Sequence, residues 1–316
     1  MKTLSLAEAA ARVDLTEMTL RRHISAGKLP KAEGTRGIRV RESDLQRAYP
    51  EAFGGVVPRE QQPCRIIAFA NQKGGVGKTS TCANLAAALS QAGNSVLAID
   101  CDAQGNLTLA LGPNPDTLEI TIYNVLTERM PLEKAIINPI LGQSTLYLVG
   151  ANIELSAADL QLSGSVAGEL RLRQAIEPYR DRFDYILLDC PPNLGQLTLN
   201  ALAAATDVII PVNPGSFAIR GVSKLMDTIS DVRAVNPNLE RVQALTNLAD
   251  NTNLAVDVRA ELARAFGDNL LVTTIRRSVR VGEAQAAQMP ITAYRPKDPA
   301  SLDYHTLAQE IIANGA

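Results

Sequence analysis

With 316 residues, 46% hydrophobic and 20% charged, the chain is long enough for one large α/β domain and a small companion. No apolar run approaches the roughly 18 residues of a membrane span, and the amino terminus lacks a long apolar core or small-residue cleavage site, so a cytoplasmic location is expected. The formal net charge of −2 hides a basic front, since residues 1–41 hold 9 Lys and Arg against 4 Asp and Glu, which makes nucleic acid a candidate partner there.

Ser5-Leu-Ala-Glu8 fits a capping box opening a short helix, with Ala9, Ala10 and Val13 on its apolar side. Thr16 can cap a second helix over about residues 17–25, closed by Gly27. Residues 31–41 read as two short strands around a glycine-containing turn, and 43–49 as a closing helix. Helix, turn, helix, wing and helix in 49 residues resembles the small winged helix-turn-helix domains of the MerR and excisionase type. The resemblance implies that the second helix enters the major groove, with Thr16, Thr19, Arg21 and Arg22 as candidate DNA contacts. Arg36, Arg39 and Arg41 on the wing would meet phosphates or the minor groove. A helical docking or dimerisation domain with a solvated basic face is the competing reading. Pro50, Gly54, Gly55, Pro58 and Pro63 break up residues 50–63, which read as a linker between domains at 1–49 and 64–316.

Residues 66–79, Ile-Ile-Ala-Phe-Ala-Asn-Gln-Lys-Gly-Gly-Val-Gly-Lys-Thr, run from an apolar strand into a glycine-rich loop and then a helix. Gly74, Gly75, Val76 and Gly77 let successive backbone N–H groups converge on phosphate oxygens, with the helix N-terminus directed at the same anion. Lys78 can reach the β- and γ-phosphates, the Thr79 hydroxyl can ligate Mg²⁺, and Ser80 completes the cradle. Two acids, Asp100 and Asp102, end the apolar run from Val96 and precede Gln104-Gly-Asn106. Asp189 ends a second apolar run, Tyr185-Ile-Leu-Leu-Asp189, where it can hold Mg²⁺ through water.

The loop Lys73-Gly-Gly-Val-Gly-Lys-Thr79, the segment Asp100-Cys-Asp-Ala-Gln-Gly-Asn106 and the Asp189 strand together resemble the ParA/MinD superfamily of deviant Walker A ATPases, and the likeness covers nearly all of residues 64–312. This resemblance implies a homodimer that sandwiches two ATP molecules, with Lys73 acting on the partner's nucleotide. It implies Asp102 as the residue orienting the attacking water, and Asp100 near the metal's water shell. The fold it implies is a P-loop NTPase with a mostly parallel, twisted sheet of seven or eight strands covered by helices on both faces. That agrees with the uninterrupted apolar strands at 96–100, 185–189 and 208–212. Cys101 and Cys190 flank the site as small residues at strand ends; the four singly spaced cysteines and two histidines show no metal spacing.

Two departures from the family pattern are visible. Gly215 and Arg220 stand where acids are common, and Arg276 replaces a proline that lies beside adenine in relatives. Both changes favour positive charge, so Arg220, Lys224, Arg276, Arg277 and Arg280 are expected to contact DNA phosphates without sequence preference; ordinary solvated charge is the alternative. The expected function is an ATP-dependent DNA-segregation ATPase, nucleoid-associated and stimulated by a ParB-like partner, with the front domain binding operator DNA for autorepression. A nucleotide-controlled transcriptional regulator and a MinD-like protein-positioning ATPase are the alternatives. The carboxyl-terminal tail lacks the basic amphipathic helix that attaches MinD relatives to membranes.

Overall fold

The computed structural model describes residues 3–13, 15–25, 29–32, 37–41, 44–45, 63–137, 145–214, 218–250 and 252–315, without the side chains of 218–221. Gly27, Arg36, Gly215, nearly all of the helix expected at 43–49, and the linker expected at 50–63 up to residue 62 lie outside the described residues. The chain divides into two compact units, Met1–Gln62 and Pro63–Ala316.

In the first unit β1 (Thr3–Ser5) passes directly into α1 (Leu6–Arg12). The Ser5 hydroxyl accepts the Glu8 N–H at 3.3 Å and the Glu8 carboxylate accepts the Ser5 N–H at 2.7 Å, so the capping box forms. Thr16 closes the first turn of α2 (Glu17–Ser25) by accepting the Thr19 N–H at 3.2 Å. The strand β2 (Arg39–Arg41) differs from expectation, because its ladder partner is β1, antiparallel, with Leu4 opposite Val40. Of the expected wing, one bond across the turn is described, from Ala32 N–H to the Arg39 carbonyl at 2.8 Å. Burial explains the pairing. Leu4 and Val40 join Leu6, Ala9, Ala10, Val13, Leu20, Leu29 and Leu45 in one small core, which a hairpin folded only on itself would not complete.

The second unit follows a strand-then-helix rhythm: β3 (Arg65–Phe69), α3 (Lys78–Gln91), β4 (Val96–Asp100), α4 (Asn106–Ala110), α5 (Ile122–Thr127), β5 (Ile136–Ile137), β6 (Leu146–Val149), α6 (Ala158–Ser163), α7 (Arg171–Ile176), β7 (Tyr185–Asp189), α8 (Gln196–Ala204), β8 (Asp207–Val212), α9 (Ala218–Arg233), β9 (Arg241–Ala249), α10 (Asn253–Phe266), β10 (Leu270–Arg276), α11 (Val279–Ala286), α12 (Ile291–Tyr294) and α13 (Pro299–Ala313). The strands form one eight-stranded sheet in the order β10-β9-β8-β3-β7-β4-β6-β5, parallel throughout except for β5.

Side chains alternate between two cores. Ile66, Ala68, Leu97, Ile99, Ile186 and Leu188 pack on one face with α5 to α10, while Ile67, Phe69, Val96, Ala98, Tyr185 and Leu187 pack on the other with α3, α4 and α11 to α13. Because both faces are covered, no polar alternation appears in these strands. Parallel strands also bring every carboxyl end to one edge, where the loops after β3, β4 and β7 meet.

At the opposite edge Arg65 is buried. Its guanidinium donates to Asp207 at 2.6 Å and to the Ile311 carbonyl at 2.5 Å, tying β3, β8 and α13 together. Replacing Asp207 by alanine leaves that cation buried without its counter-charge, and a loss of about 3–5 kcal/mol is expected. Urea denaturation of Asp207→Ala measures it; an unchanged midpoint and slope would show the pair to be unimportant for stability.

Candidate active site

Residues 70–77 leave β3 and return as α3. Gly75 and Gly77 have φ of +72° and +85°, in the left-handed region that glycine enters without strain. A Cβ on Gly77 would also overlap the side-chain amide of Asn247. Asn71 fixes the start of the loop: its amide donates to the Pro211 carbonyl at 2.8 Å, and its Oδ1 accepts the Lys73 N–H at 3.0 Å. No side chain caps α3, so the N–H groups of its first turn are left for an anion.

The loop's two lysines differ in environment. Lys78 is 7% exposed and folds back so that Nζ donates to the Lys73 carbonyl at 3.3 Å. Burial lowers its pKa, against the pull of the Asp189 carboxylate. Lys73 is exposed.

Beneath Lys78 lie Asp100 and Asp189, paired in register at the ends of β4 and β7 and both fully buried. Asp100 is well supplied with donors: Thr108 gives its N–H at 2.9 Å and its hydroxyl at 2.7 Å, and Asp102 gives its N–H at 3.1 Å. Burial raises the Asp100 pKa, and these hydrogen bonds hold it to about 6. Asp189 lacks such support: among the described residues neither carboxylate oxygen has a donor in hydrogen-bonding geometry. Burial first and the Asp100 carboxylate second push its pKa well up; the Thr79 hydroxyl and Lys78 ammonium oppose that shift. Two buried acceptor oxygens beside an ammonium and a hydroxyl fit a hydrated divalent cation, with Asp189 and Thr79 foremost and Asp100 behind them.

Asp102 is half-buried, and its Oδ1 accepts the Gln104 N–H at 3.0 Å. Ser80 Oγ accepts from the Gln285 amide at 2.7 Å. The loop, Asp100, Asp102 and Asp189 therefore converge at one edge of the sheet. Sequence reasoning missed Asn71, Thr108 and Gln285. Thr108 follows two residues after Asn106, where reading of that segment stopped, whereas the Gln285 contact spans 205 positions and leaves no local pattern.

The candidate DNA contacts fare unequally. Thr16, just before α2, and Arg21 and Arg22 on it are exposed, Thr19 is half-buried, and Leu20 points into the core. The Arg39 guanidinium donates to the Thr3 hydroxyl at 3.2 Å and carbonyl at 3.0 Å, and lies 4.0 Å from Glu8; Arg41 is half-buried. In the larger unit Arg276 grips Asp303 through two bonds of 2.7 and 2.8 Å, and Arg280 pairs with Glu283 at 2.5 Å. These two would have to break an internal ion pair to reach a phosphate. Lys224 and Arg277 are exposed, and the side chain of Arg220 lies outside the described residues.

A family model described as an AAA domain matches residues 64–241, and one described as a helix-turn-helix domain matches residues 3–48. The sporulation initiation inhibitor protein Soj of Bacillus subtilis is 39% identical over 256 residues, covering 79% of this chain and 99% of its own. The chromosome partitioning protein ParA of Caulobacter vibrioides is 38% identical over 255 residues, covering 79% and 95%. Among solved structures, cobyrinic acid a,c-diamide synthase from Mycobacterium smegmatis with bound ATP analog and magnesium is similar, with a TM-score of 0.69, 34% identity and coverage of 79% and 95%.

The buried carboxyl pair has a consequence for pH. Both groups hold protons more tightly when folded than at their ordinary value of 3.8. Their contribution to metal-free stability is therefore present below that value and is lost as pH rises through about 6 for Asp100 and through the likewise raised pKa of Asp189. Asp189→Asn is expected to raise the melting temperature of the metal-free protein near neutral pH and to flatten this dependence. A lower melting temperature for Asp189→Asn at neutral pH would contradict the assignment of an unsupported buried carboxylate.

Proposed function

Because the chain belongs to the ParA/Soj family of P-loop ATPases, we propose that it is a DNA-segregation ATPase that hydrolyses Mg²⁺-bound ATP to ADP and phosphate and cycles between free and DNA-bound forms. The observation that carries the nucleotide reading is the unsupported Asp189 carboxylate under an uncapped glycine-loop helix, with Lys78 folded over it. The neighbour holding an ATP analog and magnesium supports the same ligand pair. In this reading the N–H groups of residues 74–80 bind the β- and γ-phosphates, and Lys78 offsets charge that develops on the γ-phosphoryl oxygens. Bound Mg²⁺ supplies the remaining charge neutralisation. Asp102, half-exposed at the mouth of the site, orients the attacking water.

Lys73, exposed on the same loop, acts on the nucleotide of a second copy, so that ATP favours a sandwich dimer through its higher affinity for that state. DNA binds the dimer without sequence preference, chiefly through Lys224, Arg277 and Arg220, while Arg276 and Arg280 contribute once released from Asp303 and Glu283. A ParB-like protein stimulates hydrolysis and releases the dimer. The front unit reads operator DNA through the exposed Arg21 and Arg22 of α2, which gives autorepression. No helix among the described residues is long and apolar enough to cross a membrane; a nucleoid location follows from DNA binding. The partition role rests on Soj and ParA, whose likeness extends over 99% and 95% of their lengths.

The match to a helix-turn-helix domain favours one second reading, a regulator whose ATPase unit only controls the front unit. Deleting residues 1–62 separates the two: ATP-dependent binding to arbitrary duplex DNA survives in the segregation reading and disappears in the regulator reading. For the ATPase itself, Lys78→Ala is expected to abolish Mg-ATP binding. Asp102→Ala is expected to keep binding but hydrolyse about a hundredfold more slowly or worse, measured as phosphate release. Wild-type turnover by Lys78→Ala would overturn the site assignment.

A further inference from the structure

Asn247, in β9, lies about 170 positions along the chain from the glycine loop, yet its side-chain amide is fully buried against that loop. Its Nδ2 donates to the Val76 carbonyl at 2.7 Å, to the Gly77 carbonyl at 3.4 Å and to the Thr81 hydroxyl at 3.2 Å. These three acceptors bracket the last turn of the loop and the first turn of α3. A Cβ on Gly77 would collide with the same amide, so the two segments touch with no room between them.

A second feature marks the spot. Leu248, the next residue, adopts a left-handed φ of +54°, uncommon for a bulky side chain. The register of β10 on β9 is irregular alongside, between Thr274 and Arg276. Backbone in such a conformation persists where surrounding contacts over-determine it. From the other side, Gln285 of α11 donates to Ser80 at 2.7 Å. Two amides from the carboxyl-terminal part of the chain therefore hold the start of α3.

We propose that Asn247 is a positioning residue for the phosphate loop: by restraining the Val76 and Gly77 carbonyls it keeps the neighbouring N–H groups aimed at the phosphates. The idea rests on the nucleotide-site reading above. Asn247 touches no reacting atom, so its removal weakens nucleotide binding more than it slows the chemical step.

The test measures Mg-ATP affinity with a fluorescent ATP analogue, and kcat and KM by phosphate release, in the full-length chain. The variants are Asn247→Ala, Asn247→Asp and, as a control, Asn236→Ala. Asn236 is also buried, and its amide bonds the Leu202 and Ala205 carbonyls at 3.0 and 2.8 Å, near the amino-terminal end of β8 and away from the loop. Loss of the bonds at Asn247 is expected to raise Kd and KM about tenfold, with kcat changed less than about threefold. Asn247→Asp does worse, because a carboxylate faces the loop carbonyls and the phosphates. Asn236→Ala lowers the melting temperature without moving Kd. If Asn247→Ala does not fold, Asn247→Ser, too short to reach Val76, is judged by the same criteria. The inference fails if Asn247→Ala keeps Kd within about twofold of wild type, or if Asn236→Ala raises Kd equally. If the wild-type chain binds no Mg-ATP, the nucleotide-site reading itself fails.

Discussion

Two parallel strands, β4 and β7, end side by side on aspartates, and the register that pairs Asp100 with Asp189 puts two carboxyl groups out of reach of water. Burying one such charge is unfavourable, and burying two together is more so. The surroundings answer each differently. Asp100 receives three donors from Thr108 and Asp102, whereas Asp189 receives none from the described residues and has the Lys78 ammonium and Thr79 hydroxyl nearby. An arrangement that is costly when empty and favourable around a cation is what a metal-dependent phosphate site requires. The glycine loop, the folded-back Lys78 and the uncapped start of α3 all depend on that edge of the sheet for their geometry.

Much of this was legible beforehand, for physical reasons. The segments at β3, β4, β7 and β8 are covered on both faces, so their side chains are apolar without interruption and each ends abruptly where the chain reaches the site. The loop is visible because left-handed backbone at Gly75 and Gly77 and a closely approaching anion admit few residues other than glycine. The capping box at Ser5 and Glu8 is equally local. What stayed hidden depends on contacts between distant segments. β5 is two residues long and β1 three, too short for any period to register. The pairing of β1 with β2 is set by Leu4 and Val40 sharing a core, 36 positions apart. Asn247 and Gln285 reach the loop from positions whose spacing carries no trace of it. Arg276 and Arg280 look like free cations in the sequence, and only the fold brings Asp303 against one of them.

The two units are unlike in build and in charge. Among its described residues the front unit has a short two-stranded sheet and a small core, and α2 leaves Arg21 and Arg22 exposed. The large unit is acidic on balance, with 20 Lys and Arg against 25 Asp and Glu beyond residue 62. In the proposed DNA-bound dimer, attraction would therefore rest on individual exposed cations such as Lys224 and Arg277 rather than on net charge. Such contacts act by counterion release and carry no sequence information, whereas a helix placed in the major groove reads base edges. The proposed function thus asks one chain for two kinds of DNA recognition, of which only the one assigned to the large unit is tied to nucleotide.

In the proposed cycle ATP, and not ADP, creates a DNA-binding form of this protein. The most direct measurement is binding of the full-length chain to arbitrary-sequence duplex DNA with Mg-ATP, with Mg-ADP and without nucleotide, across a salt series. Expected is binding that appears with ATP alone and falls steeply and linearly with salt on logarithmic axes. Binding that is the same in all three nucleotide conditions, or absent with ATP at low salt, would contradict it.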